Sequence, residues 1–303
     1  MNITCQIVDN LAHGGFRFKK WCIMAIPKIL AGGGLDTPSA HLTEADARQV
    51  ALERYGLEGE FFRFPSEKDD TFRITTEGRT GFVLKIANPA EHALEVDFQI
   101  DILRHLHENA PSLPVPRVIR DKENRWRSTY RASDGTNRLV RLVTYIDGTP
   151  LDRASSSSEE REQIGRILAH LRLGLAEFRH DGESRELAWD VQHLTKIAPL
   201  LDEIDDPTQR NQLAAGLERF ITASSKLGTL RQQVLHNDFS SSNIVVSRGS
   251  TTFVKGIIDF GDAVKTAVAI DVSTALLNQL PRTPHEDPLA AGRDVLRGYL
   301  SIA

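Results

Sequence analysis

The string Val234-Leu235-His236-Asn237-Asp238-Phe239-Ser240-Ser241-Ser242-Asn243-Ile244-Val245-Val246 constrains this chain more than any other. An apolar approach delivers a His and then an Asp in a polar loop, and an Asn five positions after the Asp stands on the edge of a strand. A second string, Gly256-Ile257-Ile258-Asp259-Phe260-Gly261-Asp262, ends an apolar strand in an Asp and then a flexible Gly. Strands over 243–246 and 253–258 joined by the turn Ser247-Arg248-Gly249-Ser250 make the two strings neighbours in a hairpin. The fold must therefore bring a polar loop and a strand end to one cleft.

That juxtaposition suits phosphoryl transfer. The reaction needs a carboxylate to orient an attacking hydroxyl and take its proton, and oxygen ligands to hold Mg²⁺. Asp238 fits the first role, while Asn243 and Asp259 fit the second, since Mg²⁺ asks for only one or two protein oxygens besides phosphate. Taken singly, His-x-Asp also describes a polar turn, and a strand ending in Asp-Phe-Gly a β-turn. The order of the pieces, the Asp238–Asn243 spacing and the hairpin-sized gap to Asp259 join them into one site.

Upstream, Thr43-Glu44-Ala45-Asp46 is a helix start, with the helix running to Tyr55 and stopping at Gly56. Strands are expected at 61–64, 72–76 and 82–86, the first two joined by a polar loop from Pro65 to Thr71. From Ala93 the period becomes helical, with Val96, Ile100, Leu103 and Leu106 on one face. A further strand pair is expected near 126–131 and 139–146, before the break at Gly148-Thr149-Pro150. Beyond it the chain is mostly helical, with Ile164, Leu168, Leu171, Leu175 and Phe178 on one stripe and the serines 155–158 supplying an N-cap. The expected organisation is a poorly structured leader over 1–40, a small β-rich lobe over 41–147 and a mostly helical lobe over 148–303.

A net charge of −4 over 303 residues carries no footprint for nucleic acid. Cys5 and Cys22, the only cysteines, provide neither a disulfide framework nor a Cys-rich metal site, which points to the cytoplasm. No apolar run reaches the roughly 20 residues that span a bilayer. The remaining histidines, His92, His105, His107, His170, His180 and His193 among them, show no H-E-x-x-H spacing that would make a hydrolytic metal centre with His236.

With its loop of the form H-x-D-x-x-x-x-N at His236, Asp238 and Asn243, and I-D-x-G at Ile258, Asp259 and Gly261, the chain resembles the aminoglycoside phosphotransferase and choline kinase-like family. The resemblance covers roughly residues 43–300. It implies an α+β, bilobal protein-kinase-like fold, a nucleoside triphosphate donor (ATP or GTP) and a small-molecule acceptor. Asp238 becomes the catalytic base, Asn243 and Asp259 the Mg²⁺ ligands, His236 a brace for the loop, and Asp271 a carboxylate that holds that loop. Lys85, in Phe82-Val83-Leu84-Lys85-Ile86, is similar to the strand lysine that grips the α- and β-phosphates. Ser66 belongs to the loop covering the nucleotide, and Thr144 and Ile146 to the hinge that meets the base. The helix position that usually pairs Glu with the strand lysine holds Gln99, and Glu95 lies one turn earlier on the same face. Relatives usually continue with several helices after the region of Asp271, so the second lobe is expected to be incomplete at its C-terminus.

Within the family, Lys85-Ile86-Ala87-Asn88-Pro89, the strings 66–69, 144–151 and 258–262, and Arg185-Glu186-Leu187-Ala188-Trp189-Asp190 are most like the hydroxylysine kinase group and the kinase-like domains fused to class III aminotransferases. A hydroxylated amino acid or amino alcohol is then the expected acceptor. Asp262, Asp190 and Trp189 are candidates to meet its cation, although Trp189 also fits a core anchor and Asp190 a helix cap. An aminoglycoside, choline or ethanolamine acceptor, or a nucleotide-binding domain without turnover, are the competing readings.

Overall fold

A computed structural model describes residues 41–66, 69–187, 190–249, 252–281, 283 and 286–302. The leader expected over 1–40, with both cysteines, and the candidate Trp189 lie outside the described residues.

The chain enters through α1 (Glu44–Val50), where Thr43 and Asp46 form a reciprocal capping box, and passes through a π-helical turn over Ala51–Tyr55 to Gly56 at φ 70°. Three strands follow: β1 (Glu60–Phe64), β2 (Asp70–Thr76) and β3 (Arg79–Ile86). Helix α2 (Ala93–Asn109) comes next, then β4 (Val118–Ile119), β5 (Ser128–Arg131) and β6 (Asn137–Thr144). These strands make one antiparallel sheet in the order β1-β2-β3-β6-β4, with β5 also on β6. Helix α1 closes one face, where Leu42, Ala47, Val50 and Ala51 meet Phe72, Ile74, Leu84, Ile86, Val140 and Leu142.

Helix α2 departs from the single apolar face expected for it. Val96 and Ile100 pack with Ala87 under the sheet, whereas Phe98, Ile102, Leu103 and Leu106 join the core of the second lobe. It is apolar on two sides because it lies between two bodies.

The break expected at Gly148-Thr149-Pro150 is a seam. Thr149–Pro150 (β7) pairs with β9 (Ile244–Val246), and Gly148, at φ 152°, lies where a Cβ would come within 2.6 Å of the Val245 side chain. Helix α3 (Ser158–Gly174) starts on a capping box between Ser157 and Glu160, and its stripe, continued past the helix end by Leu175 and Phe178, is buried as expected. A 3₁₀ stretch (Val191–Glu203) and α4 (Pro207–Ser224), capped by Asp206, follow. After them come β8 (Gln232–Leu235), β9, β10 (Val254–Ile257) and β11 (Val264–Ala267), then α5 (Val268–Leu277) and α6 (Ala290–Leu300).

Helices α3 and α6 cross at glycines. A Cβ on Gly165 would stand 1.9 Å from the Val295 carbonyl oxygen, and one on Gly298 2.0 Å from that of Glu162. Arg161 reaches Asp294 at 2.6 Å and Arg297 reaches Glu162 at 2.6 Å around the crossing. Backbone cannot yield as a flexible side chain can, so Gly165→Ala is expected to cost about 3 kcal/mol, the upper end of overpacking. Denaturant unfolding would measure it; a loss of under about 1 kcal/mol, at or below the low end of that range, would show the helices slide apart freely.

Candidate active site

Two antiparallel ribbons assemble the site. In one, β9 pairs with β10, Ile244 opposite Ile257. In the other, β8 pairs with β11, Leu235 opposite Val264. The loop 236–243 thus runs from β8 to β9 and the loop 258–263 from β10 to β11, so each loop is anchored at both ends on strands that hold the other. The Ile258 N–H donates to the Asn243 carbonyl at 2.9 Å, extending the pairing to the two metal-ligand candidates.

His236 is fully buried and joins the loops. Its Nε2 lies 3.1 Å from the Ile258 carbonyl, which only accepts, while Nδ1 accepts the Asp238 N–H at 3.3 Å. Those partners specify the neutral ring with its proton on Nε2. Burial pushes the imidazole down to about 4, in keeping with that state. The ring also packs 4.7 Å from Phe260, so His236 braces the loop and meets no open space.

Asn237 follows in the left-handed region at φ 62°, a conformation Asn tolerates. Its N–H donates to Asp271 Oδ1 at 2.8 Å, from a carboxyl that burial pushes up to about 7. Asp271 holds the loop from α5, as the family resemblance implied.

Asp238 is 6% exposed. Its Oδ2 accepts from Asn243 Nδ2 at 2.8 Å, and the same nitrogen donates to its own carbonyl at 3.0 Å. Its Oδ1 makes no hydrogen bond of good geometry in the protein, although the Ser240 hydroxyl stands near enough to the carboxyl to lower it. Burial, with the charges of Asp262 and Asp259 added, pushes this carboxyl up to about 7. A buried carboxylate oxygen left unmatched is costly, and such groups mark functional sites. Asn243 spends its amide nitrogen on Asp238, so the metal role expected of it falls to its amide oxygen.

Asp259 sits at φ 62°, with Oδ1 accepting from the Gly261 N–H at 3.3 Å. Lys85 Nζ lies 3.0 Å from the same oxygen, and its ammonium holds the carboxyl far below the usual carboxylate range. Asn243 and Asp259 offer the hard oxygen donors that a Mg²⁺ ion takes.

The helix partner expected for Lys85 is absent on both counts. Arg141 stands opposite Lys85 in the β3–β6 register, and one terminal nitrogen of its guanidinium donates both to Gln99 Oε1 at 2.7 Å and to Asp69 Oδ2 at 2.9 Å. Glu95 lies 3.6 Å from Arg185. Lys85, Gln99, Arg141, Asp259 and Phe260 line one cavity beneath the sheet. Sequence reasoning missed both arginines, although a charge inside the apolar run 139–146 was a signal for Arg141.

The other candidates separate. Thr144 is stitched to the sheet edge, its N–H donating to the Arg117 carbonyl and its Oγ1 accepting the Arg117 N–H, both at 2.9 Å. Ile146 lies over Gly256, where a Cβ would come within 2.7 Å of it. Ser66 is exposed in the loop between β1 and β2. Asp262 stands close enough to Asp238 to raise it. Asp190, a candidate both for the acceptor and for a helix cap, is 1% exposed and caps the 3₁₀ stretch by accepting from the Gln192 N–H at 3.0 Å. Among the described residues, no helix is long and apolar enough to cross a membrane.

Residues 63–302 match the model of the phosphotransferase enzyme family. The hydroxylysine kinase of Mus musculus is 24% identical over 284 residues, covering 86% of this chain and 74% of its own length. That of Xenopus laevis is 26% identical over 305 residues, covering 92% and 79%. An amicoumacin kinase solved in complex with AMP-PNP and Ca²⁺ shares the fold at a TM-score of 0.65 and 17% identity, over 86% of this chain and 77% of its own. A microcompartment-associated aminopropanol kinase does so at 0.61 and 20%, over 86% and 81%.

Proposed function

The chain belongs to the phosphotransferase enzyme family and is a small-molecule kinase, and we propose that it moves the γ-phosphate of ATP or GTP to a hydroxyl of a hydroxylated amino acid or amino alcohol. One observation carries the mechanism: Asp238 is buried with Oδ2 fixed by Asn243 and Oδ1 unmatched. In this reading Oδ1 receives the acceptor hydroxyl, aligns it with the phosphoryl group and takes its proton. Lys85 grips the α- and β-phosphates, the loop around Ser66 covers them, and the hinge from Thr144 to Ile146 meets the base. Asn243 and Asp259 would hold Mg²⁺, which would supply charge neutralisation on the triphosphate. His236 and Asp271 keep Asp238 aimed. Asp262, beside the base, is the carboxylate we assign to the acceptor's ammonium. We place the enzyme in the cytoplasm.

The names of its relatives support a hydroxylated amine over a neutral sugar. An assay of Mg-ATP and Mg-GTP consumption over hydroxylysine, amino alcohols, choline, aminoglycosides and sugars decides the matter. We expect stimulation by the hydroxylated amino acids or amino alcohols. Nucleotide binding with no stimulation by any acceptor would leave a regulatory domain instead.

A further inference from the structure

Arg185 lies between α3 and the 3₁₀ stretch, and its side chain is only 8% exposed. Burying a guanidinium demands partners, and Arg185 finds them on the loop that carries Asp259. Its Nε donates to the Ala263 carbonyl at 3.1 Å, and one terminal nitrogen donates both to Ala263, at 2.9 Å, and to the Gly261 carbonyl. The two carbonyls flank Asp262. The other terminal nitrogen makes no hydrogen bond and meets Glu95 on α2 as an ion pair at 3.6 Å, with the guanidinium carbon 5.8 Å from the Phe98 ring centroid. Beside it, the Lys265 N–H donates to the Glu183 carbonyl at 2.7 Å and Lys265 Nζ to its carboxylate at 2.8 Å. Segment 183–185 therefore clasps segment 261–265 along its length.

The clasp begins two residues after Asp259, a non-glycine residue in the left-handed region. Such a backbone persists where its surroundings over-determine it. Arg185 supplies the determination through a planar fork that a single ammonium does not reproduce.

We propose that Arg185 is a positioning residue for the metal ligand Asp259: it fixes the loop after Asp259 by its carbonyls and anchors it to α2 through Glu95. The inference rests on Asp259 binding metal, as above. It also explains why Lys85 has no carboxylate on α2. The helix carboxylate serves the metal loop through Arg185, and Lys85 is left to the phosphates and Asp259.

The test is Mn²⁺ binding, followed by electron paramagnetic resonance of the free ion, with ADP or GDP present, whichever the wild type binds. Arg185→Met is expected to weaken Mn²⁺ at least fivefold, with nucleotide affinity in EDTA unchanged within twofold. Arg185→Lys keeps the charge but not the fork, and should stay within threefold of Arg185→Met. A smaller loss in Arg185→Met, full rescue by Lys, or an equal loss of metal-free nucleotide affinity would each overturn the role. Should Arg185→Met fail to fold, Glu95→Gln carries the test: about a threefold loss of Mn²⁺ affinity supports the anchor, and none overturns it. A wild type that binds no Mn²⁺ with nucleotide would instead sink the metal reading itself.

Discussion

Asp238→Asn is expected to lower kcat by about a thousandfold, the middle of the range for losing a general base, while nucleotide affinity stays within about twofold. The substitution is close to isosteric. An Asn at 238 presents its amide oxygen to the Asn243 nitrogen and keeps the bond now seen at 2.8 Å, so the loop holds its course. What is lost is the unmatched Oδ1 as a proton acceptor. The pH profile supplies a signature that a merely misfolded protein would not give. Burial, then Asp262 and Asp259, raise the wild-type carboxyl to about 7, so kcat/KM should climb with pH until that group is ionised, and the limb should vanish in the variant. The sign for stability is opposite. Between the ordinary carboxylate range and about 7 the folded state keeps a proton that the unfolded chain has lost, so this group's contribution falls as pH rises. The Asn variant escapes that loss and should melt no lower than wild type at pH 8. Steady-state kinetics and thermal melts check both halves. Transfer within tenfold of wild type would remove Asp238 from the chemistry.

Asp259→Ala should act on the other partner. Metal ligands matter at least as much as the groups behind them, whose loss costs 10–100-fold, so Mg-nucleotide affinity is expected to fall about a hundredfold. Metal-free nucleotide should behave in the reverse sense. Lys85 is 3.0 Å from Asp259 and only 19% exposed, so removing the carboxylate frees a sheltered ammonium for phosphate and takes a negative charge from its path. Calorimetry with nucleotide in Mg²⁺ and in EDTA tests the crossing. Parallel losses in the two conditions would mean that Asp259 is structural. Since Lys85 holds the Asp259 carboxyl ionised well below the usual range, metal capture here should release no proton from it at neutral pH.

The residues that do the chemistry were legible because their spacing is local. Five positions separate Asp238 from Asn243, and a short hairpin carries the chain on to Asp259. Caps were legible for the same reason: Thr43 with Asp46, and Ser157 with Glu160, lie within one turn. What the sequence hid is long-range. Gln99 and Glu95 sit where a partner for Lys85 belongs, yet Arg141 and Arg185, remote in the chain, take them. Asp190 fitted an acceptor contact and a cap equally in sequence, and only the fold shows it accepting from the Gln192 N–H as a cap. The ribbon of β8 and β11 went unseen because its two four-residue strands are separated by a hairpin, and nothing in either announces the other. Thr149 and Pro150 looked like a break, because a two-residue strand leaves no period to read.

That nesting of one ribbon inside the other bears on how a gene of this kind can lengthen. A residue added between Leu235 and Ile244, or between Ile257 and Val264, would lengthen a loop whose two ends are fixed on paired strands, and would displace Asp238 or Asp259 from the other. The segment joining Val246 to Val254 carries none of the residues placed in the site. Insertions, epitope tags and lineage-specific growth should therefore collect there, and the distance in sequence from Asn243 to Asp259 can drift while their distance in space does not.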